Sequence, residues 1–371
     1  MPDTPLHRHL LLVAGARPNF MKIAPLVHEL RARPRTFRFT LVHTGQHYDE
    51  KMSGVFFAQL GLPEPDAHLG AGGGTHGQQT ARILESFEKH LLGLPEPPTG
   101  VLVAGDVNST IACALAAVKL HIPVAHLEAG LRSRDRGMPE EINRLATDAI
   151  SDLLLVSEPD GETNLRAEGV ADGRIRYVGN LMIDTLVRQL SAAARLSTVE
   201  ELGLAGKPFG LVTLHRPSNV DDASRLRVLA NTLARVSRRL PLLFPLHPRT
   251  RQKLAALGIA TIAPAVHLVE PLPYLELLSL QRQASLVITD SGGIQEETSY
   301  LGVPCLTLRP STERPVTITL GTNILIPGDP TDMEPHVDAI LAGRGKTGGP
   351  IPGWDGRAAS RVVDALDEVW R

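Results

Sequence analysis

At 371 residues, 43% of them hydrophobic, the chain exceeds one ordinary core and can fill two, so a two-domain globular protein is expected. A formal net charge of -2 provides no global basic field, which argues against nucleic acid or an anionic membrane surface as partner. The two cysteines, Cys113 and Cys305, lie far apart in apolar contexts and offer neither a disulfide framework nor a metal-ligand spacing, so both are expected to be core thiols.

Residues 9–14 read as a buried strand. The run Leu10-Leu11-Leu12-Val13-Ala14 is too short to span a membrane and lacks signal-peptide logic, which makes the cytoplasm the expected location. Gly15-Ala16-Arg17-Pro18 then turns into a helix whose apolar positions, from Phe20 to Leu30, recur at helical spacing. Pro18 suits the first turn of that helix. Arg17 and Lys22 fall near its start, where positive charge opposes the helix dipole, so a ligand anion is expected to face them. A second strand, Phe37 to Val42, runs into the polar loop His43-Thr44-Gly45-Gln46-His47-Tyr48-Asp49, a plausible pocket wall. The glycine-rich segment 70–77 resembles a phosphate loop but has no preceding strand in its pattern; it reads as a flexible loop before the helix Gln78 to Leu92.

Strand Val101 to Ala104 leads through Gly105-Asp106 into an Ala-rich helix, and strand Pro123 to His126 is followed by Glu128. Further on, Met138-Pro139-Glu140-Glu141 opens a helix that holds Asn143 and Arg144. In a doubly wound sheet, strand-edge carboxylates at 106 and 128 and an acid at a helix start converge on one cleft. Converging carboxylates repel, which raises a pKa and readies one of them as acid or base. After the strand Asp152 to Val156, Tyr177-Val178-Gly179-Asn180 leads into a helix from Ile183 to Leu190. The weakly patterned segment 191–208 then marks a domain boundary.

The pattern restarts with the strand Phe209 to Leu214, the loop His215-Arg216-Pro217-Ser218-Asn219 and an amphipathic helix from Asp222 to Arg239. Strand Leu242 to Leu246 ends in His247, and His267 to Val269 is a further strand. His215 and His247 both stand where a strand meets its loop, as residues lining a crevice do. The strand Leu286 to Ile288 delivers Thr289-Asp290-Ser291-Gly292-Gly293 directly into a helix, an arrangement that brings backbone N–H groups and a positive dipole end to an anion. One turn on, Glu297 is placed to take ribose hydroxyls, and after the strand Val303 to Leu308 the loop Ser311-Thr312-Glu313-Arg314-Pro315 returns an arginine to the same edge. A helix from Arg357 to Trp370 follows the GGPIPGWDG spacer.

The chain resembles the non-hydrolysing UDP-N-acetylglucosamine 2-epimerases over nearly its whole length. The resemblance rests on GARPNFMKIAPL (15–26), GDVNST (105–110), HLEAGLRS (126–133), PEEINR (139–144), LHRPSN (214–219), TDSGGIQEE (289–297) and TERP (312–315). It implies an α/β fold of two Rossmann-like doubly wound domains in a glycosyltransferase-B arrangement. Residues 1–190, joined by a C-terminal helix 356–371, would form the domain of the sugar and the catalytic carboxylates, and 191–355 the UDP-binding domain. It also implies a homodimer, UDP-N-acetylglucosamine as ligand, no nicotinamide or metal, and a product used for cell-surface polysaccharides. Carried over by motif position, Arg17, Lys22, His215, Ser291, Gly292, Gly293, Glu297 and Arg314 form the UDP-holding set, and Asp106, Glu128 and Glu140 the catalytic carboxylates. The resemblance further gives His215 a catalytic part, stabilising the departing phosphate. The implied chemistry is expulsion of UDP from C1 with loss of the C2 proton, a bound 2-acetamidoglucal, and re-addition of UDP after reprotonation on the other face.

Well-known bacterial members read His-Arg-Arg-Glu where this chain has His215-Arg216-Pro217-Ser218, and carry an arginine in the segment aligned with Gly72 to Gly74. Those positions belong to a second, activating UDP-N-acetylglucosamine site, of which Gln46, Arg216 and His247 are matched here, so activation by substrate is not expected to carry over intact. Leu272 and Leu277 stand where some members of that family have a glutamine and a phenylalanine near the uracil. A hydrolysing epimerase, an epimerase of a UDP-diacetamido sugar uronate and, more distantly, a UDP-sugar glycosyltransferase are the alternatives.

Overall fold

Leu10, Leu11 and Leu12 are consecutive and all fully buried, which requires a strand covered on both faces. The computed structural model describes residues 8–46 and 57–370. His47, Tyr48 and Asp49 of the expected pocket wall lie outside the described residues, as does the side chain of Arg17. The chain divides into two units, Met1–Val187 with Pro352–Arg371, and Arg188–Ile351.

Among its described residues the first unit has a seven-stranded sheet of β1 (Arg8–Ala14), β2 (Phe37–His43), β3 (Ala67–His68), β4 (Gly100–Ala104), β5 (Val124–Leu127), β6 (Leu153–Val156) and β7 (Ile175–Tyr177). All its pairings are parallel, in the order β3-β2-β1-β4-β5-β6-β7. The chain moves outward from β1 to β3 and returns on the other side of β1 as β4. The switch point therefore lies between β1 and β4, the place where open α/β sheets bind ligands. One face of the sheet packs Leu11, Val13, Val101 and Val103 against Ile83 and Phe87 of the helix His76–Leu92 and against the alanines and Cys113 of the helix Asn108–Lys119.

The second unit repeats the plan with β8 (Gly210–Thr213), β9 (Leu242–Pro245), β10 (Val266–Val269), β11 (Leu286–Thr289), β12 (Cys305–Thr307) and β13 (Asn323–Leu325). The order β10-β9-β8-β11-β12-β13 is again parallel, with its switch point between β8 and β11. Alternate strand residues go to opposite faces: Leu286 and Ile288 join the core under the helix Ala223–Val236, and Val287 joins Phe209, Leu211 and Leu280 on the other face. Both cysteines are buried free thiols. Among the described residues no helix is long and apolar enough to cross a membrane.

The helix Ala358–Val369 packs on the helix Arg17–Ala32 in the first unit. Its start is held by Asp184, whose carboxylate accepts the N–H groups of Ala358 (3.0 Å) and Ala359 (2.7 Å), and ion pairs join Arg8 to Asp367 and Arg33 to Asp364.

Several expectations are corrected. The glycine-rich segment 70–77 does follow a strand, since β3 pairs with β2. That strand is only two residues long, so it left no periodic signal. The segment is also tied down, with Ala71 N–H on the Thr44 carbonyl at 2.9 Å, and its helix begins earlier, at His76, with Thr75 as cap. Strand β7 and the helices Pro159–Ala167 and Pro248–Ala256 were not anticipated. The first helix has a buried Leu165 but a largely polar sequence, PDGETNLRA, and too few apolar positions to show a period.

Candidate active site

Each unit brings its polar residues to the carboxyl edge at its own switch point. In the first unit, the N–H groups of Gly15 and Ala16 donate to the Asn19 side-chain oxygen at 3.2 and 2.9 Å, while the Asn19 amide donates to the Ala104 carbonyl at 2.8 Å. Asn19 thus stitches the end of β1 to the end of β4, where Gly105 at φ 68° turns the chain into Asp106. Arg17 opens the helix beside this turn.

Lys22 does not present a bare charge to a ligand. It is buried and ion-paired with Glu128, itself buried and held at φ 67°, in the left-handed region that non-glycine residues rarely occupy. The charge that opposed the helix dipole is answered here by a carboxylate of the protein. Asp106 is likewise paired, with Arg144 of the helix Pro139–Ile150. The repulsion expected among converging carboxylates is therefore offset by two cations. Glu140, in the first turn of that helix, has no side-chain hydrogen bond or ion pair among the described residues and lines a cavity of about 270 Å³ with Asp106, Asn108, Asn143, His76 and Gly74. The glycine-rich loop, read as a bland connector, thus contributes to the cavity wall.

Neighbouring Glu141 has a different role. Its oxygens accept the N–H groups of Ser133 (2.9 Å) and Arg134 (2.9 Å) and the Arg144 guanidinium (2.8 and 3.1 Å). Burial alone would raise its pKa, but these donors hold it below the ordinary glutamate value. Beneath Glu128, Asp148 binds His126 Nδ1 (2.6 Å), Arg132 (2.7 Å) and the Gly130 N–H (3.0 Å), and His126 Nε2 faces the Gly105 carbonyl at 2.8 Å.

Gln46 is buried and takes the Ser109 N–H (2.9 Å) and hydroxyl (2.6 Å) on its side-chain oxygen. His43, held down to about 4 by burial and by His68, is neutral at pH 7 and accepts the Gly45 N–H on Nδ1 at 2.8 Å.

In the second unit the fully buried Asp290 organises the turn. Its carboxylate accepts the N–H groups of His215 (3.0 Å) and Arg216 (2.9 Å) and the Asn219 amide (3.1 Å), and it meets His215 Nδ1 at 3.0 Å. Burial works against ionisation, yet the His215 ring and these donors hold Asp290 below the usual aspartate value. Ser291 caps the helix Gly292–Leu301 without a side-chain bond, so Gly292 and Gly293 present the helix start. A Cβ on Gly292 would stand 2.8 Å from Glu313 Oε1. Glu313 pairs with Arg309 at 2.7 Å, and Arg309 and Arg314 overcome its burial to hold it well below the glutamate range.

Glu297 and Arg314 are both buried and engaged by protein partners. Glu297 is buried and accepts from Tyr274 OH (2.9 Å) and from the Gln281 amide (2.8 Å), and burial pushes its carboxyl up. Arg314 is buried with its Nε 3.0 Å from Glu296 Oε1. One helical turn past Gly293 places Glu297 over the helix Tyr274–Gln281, a neighbour that its own segment cannot reveal. His215 and His247 are brought together as expected, with ring centroids 5.6 Å apart, and His247 also accepts the Arg249 N–H at 3.2 Å. Of the residues matched to an activating site, Arg216 and His247 belong to this unit and Gln46 to the first. Leu272 and Leu277 pack against the core.

Among the described residues no cluster of His, Cys, Asp or Glu is arranged to hold a metal ion. Asn19, Arg144 and Asp148 were not singled out as functional from the sequence. Each is a polar residue in a helix, and only its distant partner distinguishes it.

A family model described as UDP-N-acetylglucosamine 2-epimerase matches residues 28–367. The chain is 40% identical over 363 residues to UDP-N-acetylglucosamine 2-epimerase of Methanococcus maripaludis, covering 96% of this chain and 97% of that one. It is 43% identical over 367 residues to UDP-2,3-diacetamido-2,3-dideoxy-D-glucuronate 2-epimerase of Pseudomonas aeruginosa, covering 97% and 99%. Among solved structures it resembles the UDP-GlcNAc 2-epimerase of Methanocaldococcus jannaschii in complex with UDP-GlcNAc and UDP, with a TM-score of 0.87, 38% identity and coverage of 97% and 99%.

Proposed function

The chain belongs to the UDP-N-acetylglucosamine 2-epimerase family, and on that premise we propose that it interconverts UDP-N-acetylglucosamine and UDP-N-acetylmannosamine without net hydrolysis. The observation that carries this reading is the delivery of Asp106, Glu128 and Glu140 to one sheet edge, with Asp106 and Glu140 sharing a cavity. In the forward step a carboxylate takes the C2 proton, the C2–H electron pair becomes a C1=C2 double bond, and the C1–O pair leaves with UDP. In the return step a phosphate oxygen of UDP bonds to C1 while the double-bond pair takes a proton at the opposite face of C2. The Ser291-Gly292-Gly293 helix start of the second unit is assigned to the diphosphate, with His215 beside it.

Incubation with UDP-N-acetylglucosamine in heavy water, followed by proton NMR, tests the reading. Solvent deuterium should replace the C2 proton as the manno epimer appears. A glycosyltransferase leaves that proton in place, and a hydrolysing enzyme accumulates free sugar and UDP irreversibly; either result removes the proposal. The 43% identity to a diacetamido-glucuronate epimerase supports a second reading, in which the same exchange occurs on the uronate but not on UDP-N-acetylglucosamine.

Binding is tested apart from chemistry. Gly292→Ala places a methyl group against Glu313 and beside the helix start. By calorimetric titration it should weaken UDP affinity about tenfold or more, roughly 1.4 kcal/mol. An unchanged affinity would move the diphosphate away from this turn.

A further inference from the structure

We propose that Arg144 is a positioning residue for the reaction, bracing the Asp106 carboxylate against Glu141 so that it keeps one orientation at the cavity. This rests on the epimerase reading above.

The Arg144 side chain is 3% exposed and is engaged along its whole fork. Nε and Nη2 donate to Glu141 Oε2 at 3.1 and 2.8 Å, and Nη1 donates to Asp106 Oδ2. A planar guanidinium held at three nitrogens has no rotational freedom left, which a lysine ammonium cannot reproduce. Glu141 is itself immobile, because it also accepts the N–H groups of Ser133 and Arg134 in the loop that leads away from Glu128. The adjacent Asn143 amide donates to the Asp106 carbonyl at 2.8 Å, so one helix grips both the side chain and the main chain of Asp106.

Asp106 needs such support. Its side chain is 31% exposed at the cavity, and a half-solvated carboxylate would otherwise sample several rotamers. The same first turn carries Glu140 into the cavity, so the brace also sets the spacing between two candidate proton-transfer groups. Arg144 is kept off the substrate by its burial and acts through Asp106.

A merely structural arginine, neutralising buried Glu141, predicts different kinetics, and a double-mutant cycle separates the two. Turnover and KM are measured for Arg144→Gln, Arg144→Lys, Asp106→Asn and the Arg144→Gln, Asp106→Asn pair. Arg144→Gln should lower kcat about 100-fold with KM changed less than about threefold, and Arg144→Lys should recover about tenfold of that loss. In the Asp106→Asn background the same Arg144→Gln change should cost less than about threefold, because the group it positions is already gone. Equal losses in both backgrounds overturn the proposal, as does a loss in KM alone. If Arg144→Gln does not fold, the cycle is run with Arg144→Lys, which keeps a cation beside Glu141, and the same non-additivity is required. The wild-type heavy-water experiment distinguishes failure of the underlying reading: no C2 exchange there removes the reaction itself, whereas normal exchange with an additive cycle removes only the role of Arg144.

Discussion

Glu140→Gln should lower turnover by roughly 10²–10⁴-fold while leaving thermal stability nearly unchanged, because the amide preserves shape and removes proton transfer. Glu140 is the cleanest of the three carboxylates to test. Glu128 is buried against Lys22 and Asp106 is paired with Arg144, so neutralising either also disturbs an ion pair. Glu140 has no such partner among the described residues and stands at a cavity wall. A substitution there should shift stability by no more than about 0.5 kcal/mol, the range for positions without a structural partner. The measurement is the initial rate of epimer formation beside a melting curve and a UDP titration. Retained activity would exclude Glu140 from proton transfer and leave the work to the two paired carboxylates. Lost UDP affinity would make it a binding residue instead.

Asp148→Ala should destabilise the first unit by roughly 3–5 kcal/mol, the cost of breaking a buried ion pair by removing one partner. Asp148 is 2% exposed, and its loss strips His126 Nδ1 and the Gly130 N–H of their acceptor and leaves the buried Arg132 with one carboxylate partner, Glu168, instead of two. A denaturant titration should show a lower midpoint. The effect is also pH-dependent. Burial raises the Asp148 pKa, but His126 and Arg132 outweigh it and hold the folded value below the ordinary one. Near pH 4 the folded state therefore binds fewer protons than the unfolded state. The stability contributed by this group is fully present above the unfolded value, about 3.9 for an aspartate, and is lost as pH falls through the lower folded value. Asp148→Ala should accordingly lose least relative to wild type at acid pH. A constant difference at every pH would mean that packing, not charge, sets the cost.

The loss should reach the carboxyl edge of the sheet as well. His126 Nε2 holds the Gly105 carbonyl, one residue before Asp106, and Asp148 holds Gly130, two residues after Glu128. Charge that stabilises the fold thus also anchors the two loops that carry Asp106 and Glu128.

Much of the fold was legible in the sequence because strands covered on both faces appear as continuous apolar runs ending in polar loops. Leu10–Leu12, Val101–Val103 and Leu286–Ile288 are such runs, and each delivers its loop to a carboxyl edge. Elements too short or too polar for a period, β3, β7 and the helix Pro159–Ala167, were not legible for the same reason. The motif residues at 106, 128, 215 and 290–293 were placed at sheet edges by strand ends alone, and Glu140 by a helix start. What only the tertiary structure decided is which charge meets which. Lys22 and Glu128 are 106 residues apart, and Arg144 and Asp106 are 38 apart. Periodicity reports whether a side chain faces inward, not what it faces. Glu140 and Glu141 are alike in sequence, yet a rotation of one residue along the helix sends Glu140 to the cavity and Glu141 into the Arg144 brace, since neighbouring helix positions diverge by about 100°.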